Sequence, residues 1–264
     1  MDRDYWNKQT ANEPLFPDLI WSRPQMKSQA GKLLIIGGNA HGFAAAAESY
    51  AEAVKAGAGS VRVLLPDVLR KTVGKVFEAG EFVPSTPSGS FSMKALAEII
   101  DSAAWADSVI LAGDFGHNSE TAILLEKFLS KSTAPVTLAQ DGLAYFTKTP
   151  LSILERPNTL LAAEFTQLQK LATTVRFPKA FTSDMDLLRL VDQLHEFSLA
   201  YPAFIVVRHL NNDFVAVSGR LSTTNTKEEF SSWSITAATH ACVWLMQNPA
   251  KPFEAITSAL VAKV

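Results

Sequence analysis

Residues 32–67 read KLLIIGGNAHGFAAAAESYAEAVKAGAGSVRVLLPD, and this stretch decides the fold class. The apolar run from Lys32 to Ile36 breaks at Gly37-Gly38-Asn39, the pattern of a buried parallel strand entering a tight turn. Gly42 to Ala56 is alanine-rich with its charges at helical spacing, and Gly57 and Gly59 close it. Ser60 to Leu65 is a second apolar run, stopped by Pro66. Strand, glycine turn, helix, glycine, strand is one βαβ unit, and such a crossover is right-handed almost without exception.

The same alternation runs outward to the C-terminus. Strands are expected at Ser108 to Ala112, Pro135 to Ala139, Thr159 to Leu161 and Phe204 to Val207. Phe214 to Val217 is expected to pair antiparallel beside the last of these, across an Asn211-Asn212-Asp213 turn. Helices are expected at Met93 to Trp105, Glu120 to Leu129, Glu164 to Leu171, a long one capped by Asp184 and ending at Leu199, Ile235 to Gln247, and Pro252 to Val261. Glu81 to Ser92 reads as a loop. The expected fold is a three-layer α/β/α domain with a mostly parallel sheet, spanning 31–264. Residues 1–30 read as an irregular arm, whose aromatics suit packing on this domain or on a second subunit.

Composition sets outer bounds. The chain has 264 residues, 47% of them hydrophobic, and a formal net charge of −2. That is enough apolar mass for a core, and the near-neutral charge argues against nucleic acid or an anionic membrane as the main partner. The single cysteine, Cys242, permits no internal disulfide and no Cys-rich metal site. No secretory leader and no run of 18 apolar residues is present, so a reducing cytoplasmic setting is expected.

In an open parallel sheet, ligands sit beyond the carboxyl ends of the strands. The candidate site is therefore assembled from Gly37-Gly38-Asn39, Gly113 to Gly116, Gln140-Asp141-Gly142, the start of the Glu164 helix, and Arg208-His209. Glycines there either let backbone amides approach phosphate or simply make tight turns. Neither GxGxxG nor GxxxxGK[ST] occurs, and GxSxG and HExxH are absent as well. His41, His117 and His209 follow strands and are candidate ligand contacts, whereas His195 and His240 lie within helices. Asp141 directly follows a strand, where a carboxylate can face the crevice. Cys242, Trp233 and Trp244 read as core.

These pieces together resemble a known family, the ADP/ATP-dependent NAD(P)H-hydrate dehydratases of the ribokinase-like superfamily. The resemblance rests on residues 33–67, on AQDGL at 139–143 (similar to DADGL), on TLLAAEF at 159–165 (similar to TPHPGEF) and on KPFEAITSAL at 251–260. It implies a homo-oligomer that uses ADP or ATP to dehydrate hydrated NADH or NADPH. It also implies ligand contacts at Gly38, Ala45, Gly116, Asp141 and Glu164.

The same comparison predicts a loss. The family's GSGD motif, which supplies an anion hole and a carboxylate base, falls at Trp233-Ser234-Ile235-Thr236. A threonine hydroxyl of high pKa cannot replace a carboxylate base. The family's histidine falls at Leu161, the first aspartate of its DAD at Ala139, and its nucleotide-contacting Lys-Gly pair at Arg208-His209. Its GPGLG turn falls at Ala112 to Gly116, placing Asp114 where a phosphate would be repelled. The sequence reading is thus an inactive or repurposed homologue, with no assigned catalytic residue, no metal ligand and no fixed cofactor. The alternatives are a divergent dehydratase or small-molecule kinase with Asp141 or Asp114 as base, and a structural subunit.

Overall fold

The computed structural model describes residues 3–75, 77–225 and 233–262; positions 1, 2, 263 and 264 of the expected arm and domain lie outside them. Ten strands form one sheet: β1 Trp6–Gln9, β2 Lys32–Gly37, β3 Ser60–Pro66, β4 Gly80–Val83, β5 Ser108–Gly113, β6 Val136–Ala139, β7 Thr159–Ala163, β8 Phe204–His209, β9 Asn212–Val217 and β10 Arg220–Asn225. Their order is β1-β10-β9-β8-β7-β6-β5-β2-β3-β4. Every neighbouring pair is parallel except β8–β9 and β9–β10.

The helices are α1 Pro17–Trp21, α2 Ala44–Lys55, α3 Arg70–Val73, α4 Leu96–Trp105, α5 Ser119–Lys131, α6 Gln140–Ala144, α7 Leu151–Leu154, α8 Phe165–Thr174, α9 Leu187–Ala200, α10 Trp233–Gln247 and α11 Pro252–Ala262. Alternate strand residues feed two faces, because successive side chains of a strand point to opposite sides. Leu34, Ile36, Leu111, Leu138 and Leu161 pack beneath α4, α5, α8 and α9. Leu33, Ile35, Ile110, Ala112 and Ala162 pack beneath α2 and α10. The α11 side chains Phe253, Ile256 and Leu260 continue that second layer over β9. This is the three-layer α/β/α arrangement with a mostly parallel sheet.

The central βαβ unit follows the sequence expectation, with α2 beginning two residues later than read. Other details differ. Residues 6–9 are not irregular: they add a parallel edge strand to β10, and Leu221 N donates to Tyr5 O at 2.7 Å. The arm packs on its own chain. The stretch read as a loop from Glu81 begins inside β4. The long helix is capped by Asp186 rather than Asp184, its side chain accepting from Arg189 N at 2.8 Å. The β8–β9 hairpin turns on Leu210 and Asn211, both in the left-handed region at φ 48° and 58°, which suits a two-residue turn matching strand twist. No helix among the described residues is long and apolar enough to cross a membrane.

Candidate functional site

The strand order reverses between β2 and β5. From β2 the chain builds outward through β3 and β4, then returns to β5 and builds the other way. That reversal is where an open α/β sheet splays its loops into a crevice. Here the two turns are stitched together. Gly38 N donates to Gly113 O at 2.9 Å, and Asn39 Nδ2 donates to Asp114 O at 2.5 Å. A Cβ on Gly37 would lie 2.6 Å from Gly113 O, so the approach requires glycine.

Asp114 completes the closure. It holds the left-handed conformation at φ 59°, and its Oδ2 accepts from Ala45 N at 2.8 Å in the first turn of α2. A carboxylate at a helix N-terminus is favoured by the exposed amides and the helix dipole. The position expected to repel phosphate therefore carries a carboxylate hydrogen-bonded to an amide in the first turn of α2. Ala45 itself is buried.

Asp141 lies one strand over, in the first turn of α6 rather than in an open turn. Its Oδ2 accepts from Phe115 N at 2.9 Å and Gly116 N at 3.3 Å. Its Oδ1 is buried without a partner. Burial pushes this carboxyl above the usual range against the opposing pull of the two amides, and the Asp114 charge adds to the rise. Beside it opens a cavity of about 370 Å³, lined by Gly116, His117, Asn118, Ser119, Ala122, Asp141, Ala144, Tyr145 and Lys148. Tyr145 and Lys148 follow α6 with no motif around them, so sequence reading passed over both. His117 is exposed on this wall, and His41 is exposed on the first turn.

Glu164 is an exposed N-cap of α8, its amide donating to Gln167 Oε1 at 3.0 Å. Gln167 Nε2 in turn donates to Gln140 O at 2.7 Å, tying the start of α8 to the Asp141 turn. Gly38, Ala45, Gly116 and Asp141 thus gather around the turns after β2, β5 and β6, with Glu164 linked to them through Gln167. His209 stands apart, its ring stacked on Phe165 at 4.2 Å between centroids.

At the end of β8, Arg208 is committed. Its Nε and Nη2 reach Asp213 at 2.6 and 3.1 Å, and its guanidinium lies 5.0 Å from the Trp233 ring. Asp213 is fully buried and sits opposite Arg208 in the hairpin register. The expected turn, Asn211-Asn212-Asp213, places Asp213 in the loop; the observed turn is Leu210 and Asn211, which leaves Asp213 in β9 opposite Arg208. Trp233, Ser234, Ile235 and Thr236 at the start of α10 are all buried. Leu161 and Ala139 are core. Cys242 is buried and bonded to Ser108 Oγ at 3.3 Å, and burial pushes its thiol up, as suits an inert core position. Among the described residues no three His, Cys, Asp or Glu side chains converge to hold a metal ion.

These groups fit a nucleotide phosphate poorly. The amide of Ala45 already holds a carboxylate, the cation of Arg208 is paired with Asp213, and no carboxylate stands at 233–236.

No family model and no curated protein matches the chain. Solved structures do. A ribokinase-like superfamily protein of Enterococcus faecalis V583 superposes with a TM-score of 0.73 at 14% identity, covering 99% of this chain and 88% of that one. A hypothetical protein of Streptococcus mutans gives 0.66 at 15%, covering 92% and 84%. The ADP/ATP-dependent NAD(P)H-hydrate dehydratase of Bacillus subtilis, co-crystallized with ATP/Mg2+, gives 0.63 at 13%, covering 94% and 86%. The chain therefore has a ribokinase-like fold of the type seen in that dehydratase.

Proposed function

We propose that this chain is an NAD(P)H-hydrate dehydratase-like protein that does not carry out ATP-dependent dehydration and uses its crevice for another small molecule. The observation that carries this reading is the commitment of Arg208 to Asp213, under Trp233, where the resemblance expects a nucleotide contact. The absence of a carboxylate at 233–236 supports it independently. Removing one preorganised oxyanion donor typically costs about 10²–10³ in rate, and here the base is missing as well. The buried thiol and the lack of disulfides suit a reducing compartment. The arm, whose Trp21 is 86% exposed, is the proposed surface for self-association, which light scattering would test.

Incubation of the full chain with ADP or ATP, Mg²⁺ and hydrated NADH should give no recovery of NADH absorbance above background. Turnover that vanishes in Asp141→Ala would instead establish a divergent dehydratase with Asp141 as base. That second reading draws on the raised carboxyl of Asp141 beside a cavity. A thermal-shift panel of ATP, ADP, AMP, NAD and NADP tests binding separately. A ligand at 100 times its Kd adds about 2.7 kcal/mol, so a flat response to all five excludes a retained nucleotide site.

A further inference from the structure

Asp141 ties the turns of the crevice together, yet one of its two oxygens is ill-matched to its surroundings. Oδ2 accepts from Phe115 N and Gly116 N and so fixes the turn after β5. That turn receives Gly38 N at Gly113 O, Asn39 Nδ2 at Asp114 O and Ala45 N at Asp114 Oδ2. Oδ1 is buried without a partner; among the described residues it is the only carboxylate oxygen in that state. It lies over Gly113, where a Cβ would fall 3.2 Å from it and 2.8 Å from Gln140 Oε1. The group that shares this space is therefore another acceptor, and the Asp114 charge stands close enough to oppose a second one. A bare carboxylate oxygen is costly in such a place, whereas a protonated one is a donor with an acceptor beside it. Burial pushes the carboxyl in the same direction.

We infer that Asp141 is a proton-operated latch: with a proton on Oδ1 it holds the turns closed, and on ionisation its carboxylate swings into the adjoining cavity and releases the Phe115 and Gly116 amides. The cavity of about 370 Å³ gives the ionised form a place to go, since Asp141 lines it together with His117, Tyr145 and Lys148. His117 and Lys148 are exposed on that wall and attract the charge, whereas Asp114 repels it from the closed position. The Tyr145 hydroxyl donates to Gly116 O, and burial keeps it protonated beyond the usual phenol range. From α8 the turn meets only the neutral Gln167, through Gln140 O. The sign follows: closure is full at low pH and is lost as pH rises through the folded-state value, because the unfolded chain gives up this proton more readily. A local change of charge biasing a packed element between two positions is the general form of such a switch.

The test follows the Asp141 carboxyl carbon by NMR as the full chain is titrated from about pH 4 to about pH 9, together with the exchange protection of the Phe115, Gly116, Gly38 and Ala45 amides. The expected midpoint lies above the ordinary aspartate value of about 3.9, with protection constant below it and falling at least about tenfold above it. Asp141→Asn keeps an acceptor for the two amides and carries no charge, so it should hold that protection flat across the range. A midpoint at or below the ordinary value would mean that the Gln140 amide turns its NH2 toward Oδ1, and would overturn the inference. Protection that stays flat in the wild type, or that falls equally in Asp141→Asn, would overturn it as well. Turnover of hydrated NADH would sink the functional reading while leaving this titration as it stands.

Discussion

Asp141 over the β5–β6 turns and Asp192 at the β1–β10 edge are the same chemical group in opposite states. At the edge, Asp192 Oδ1 accepts from Arg3 Nε at 2.6 Å and from the Tyr5 hydroxyl at 2.6 Å, and Oδ2 accepts from Arg3 Nη2 at 2.9 Å. The Arg3 guanidinium holds its carboxyl down at about 2. In the crevice, Asp141 has two amides on one oxygen, nothing on the other, and a pKa displaced upward by burial. A carboxylate whose every oxygen is engaged belongs to the scaffold. One left short of a donor is carried at a cost, and such costs concentrate at ligand-facing positions.

The largest effect should come from forcing a complete pair toward the incomplete state. Arg208→Ala takes the guanidinium from Asp213, which has no exposure, and should cost about 3 kcal/mol by urea unfolding. A cost within error of zero would mean the pair is not what holds the β8–β9 end.

Asp141→Asn should act with the opposite sign. A carboxyl whose folded pKa is raised contributes stability that is full below the unfolded value of about 3.9 and is lost as pH rises through the folded value. The asparagine keeps an acceptor for Phe115 N and Gly116 N but carries no charge. The variant should therefore exceed the wild type by about 1 kcal/mol at neutral pH, with the gap closing toward pH 4. A variant less stable than wild type at pH 7 would place Asp141 with the scaffold carboxylates and break the contrast.

The smallest effect belongs to Asp192→Asn, because this pair is partly exposed. Its depressed pKa gives stability present above the unfolded value and lost as pH falls through about 2. The loss measured at pH 7 should shrink on acidification and with added salt.

The sequence made much of this site visible. The glycine turns and the place of Asp141 follow from strand ends, whereas Ala45 as a site residue and the anomaly of Asp114 are what the family resemblance implies. It could not show that Asp114 turns inward to Ala45 N, since an aspartate in a turn reads equally as a solvated charge. Nor could it show that Arg208 is consumed by Asp213, which depends on a two-residue turn at Leu210 and Asn211 that leaves Asp213 in the strand rather than in the expected turn.

The fold's centre was determined by the sequence itself. β2, α2, β3, β5 and β7 are buried on both faces or along an apolar stripe, and burial of that kind writes itself into local hydrophobic pattern. The edge was decided by tertiary structure. β10 reads RLSTTN, with no apolar alternation, yet Ser222, Thr223 and Thr224 are buried. They are buried because Thr257 of α11, Trp6 and Gln9 supply their hydrogen bonds at 2.7, 3.1 and 2.8 Å. Polar residues enter a core only with partners, and partners more than 200 positions away along the chain, as Trp6 and Gln9 are, leave no local trace.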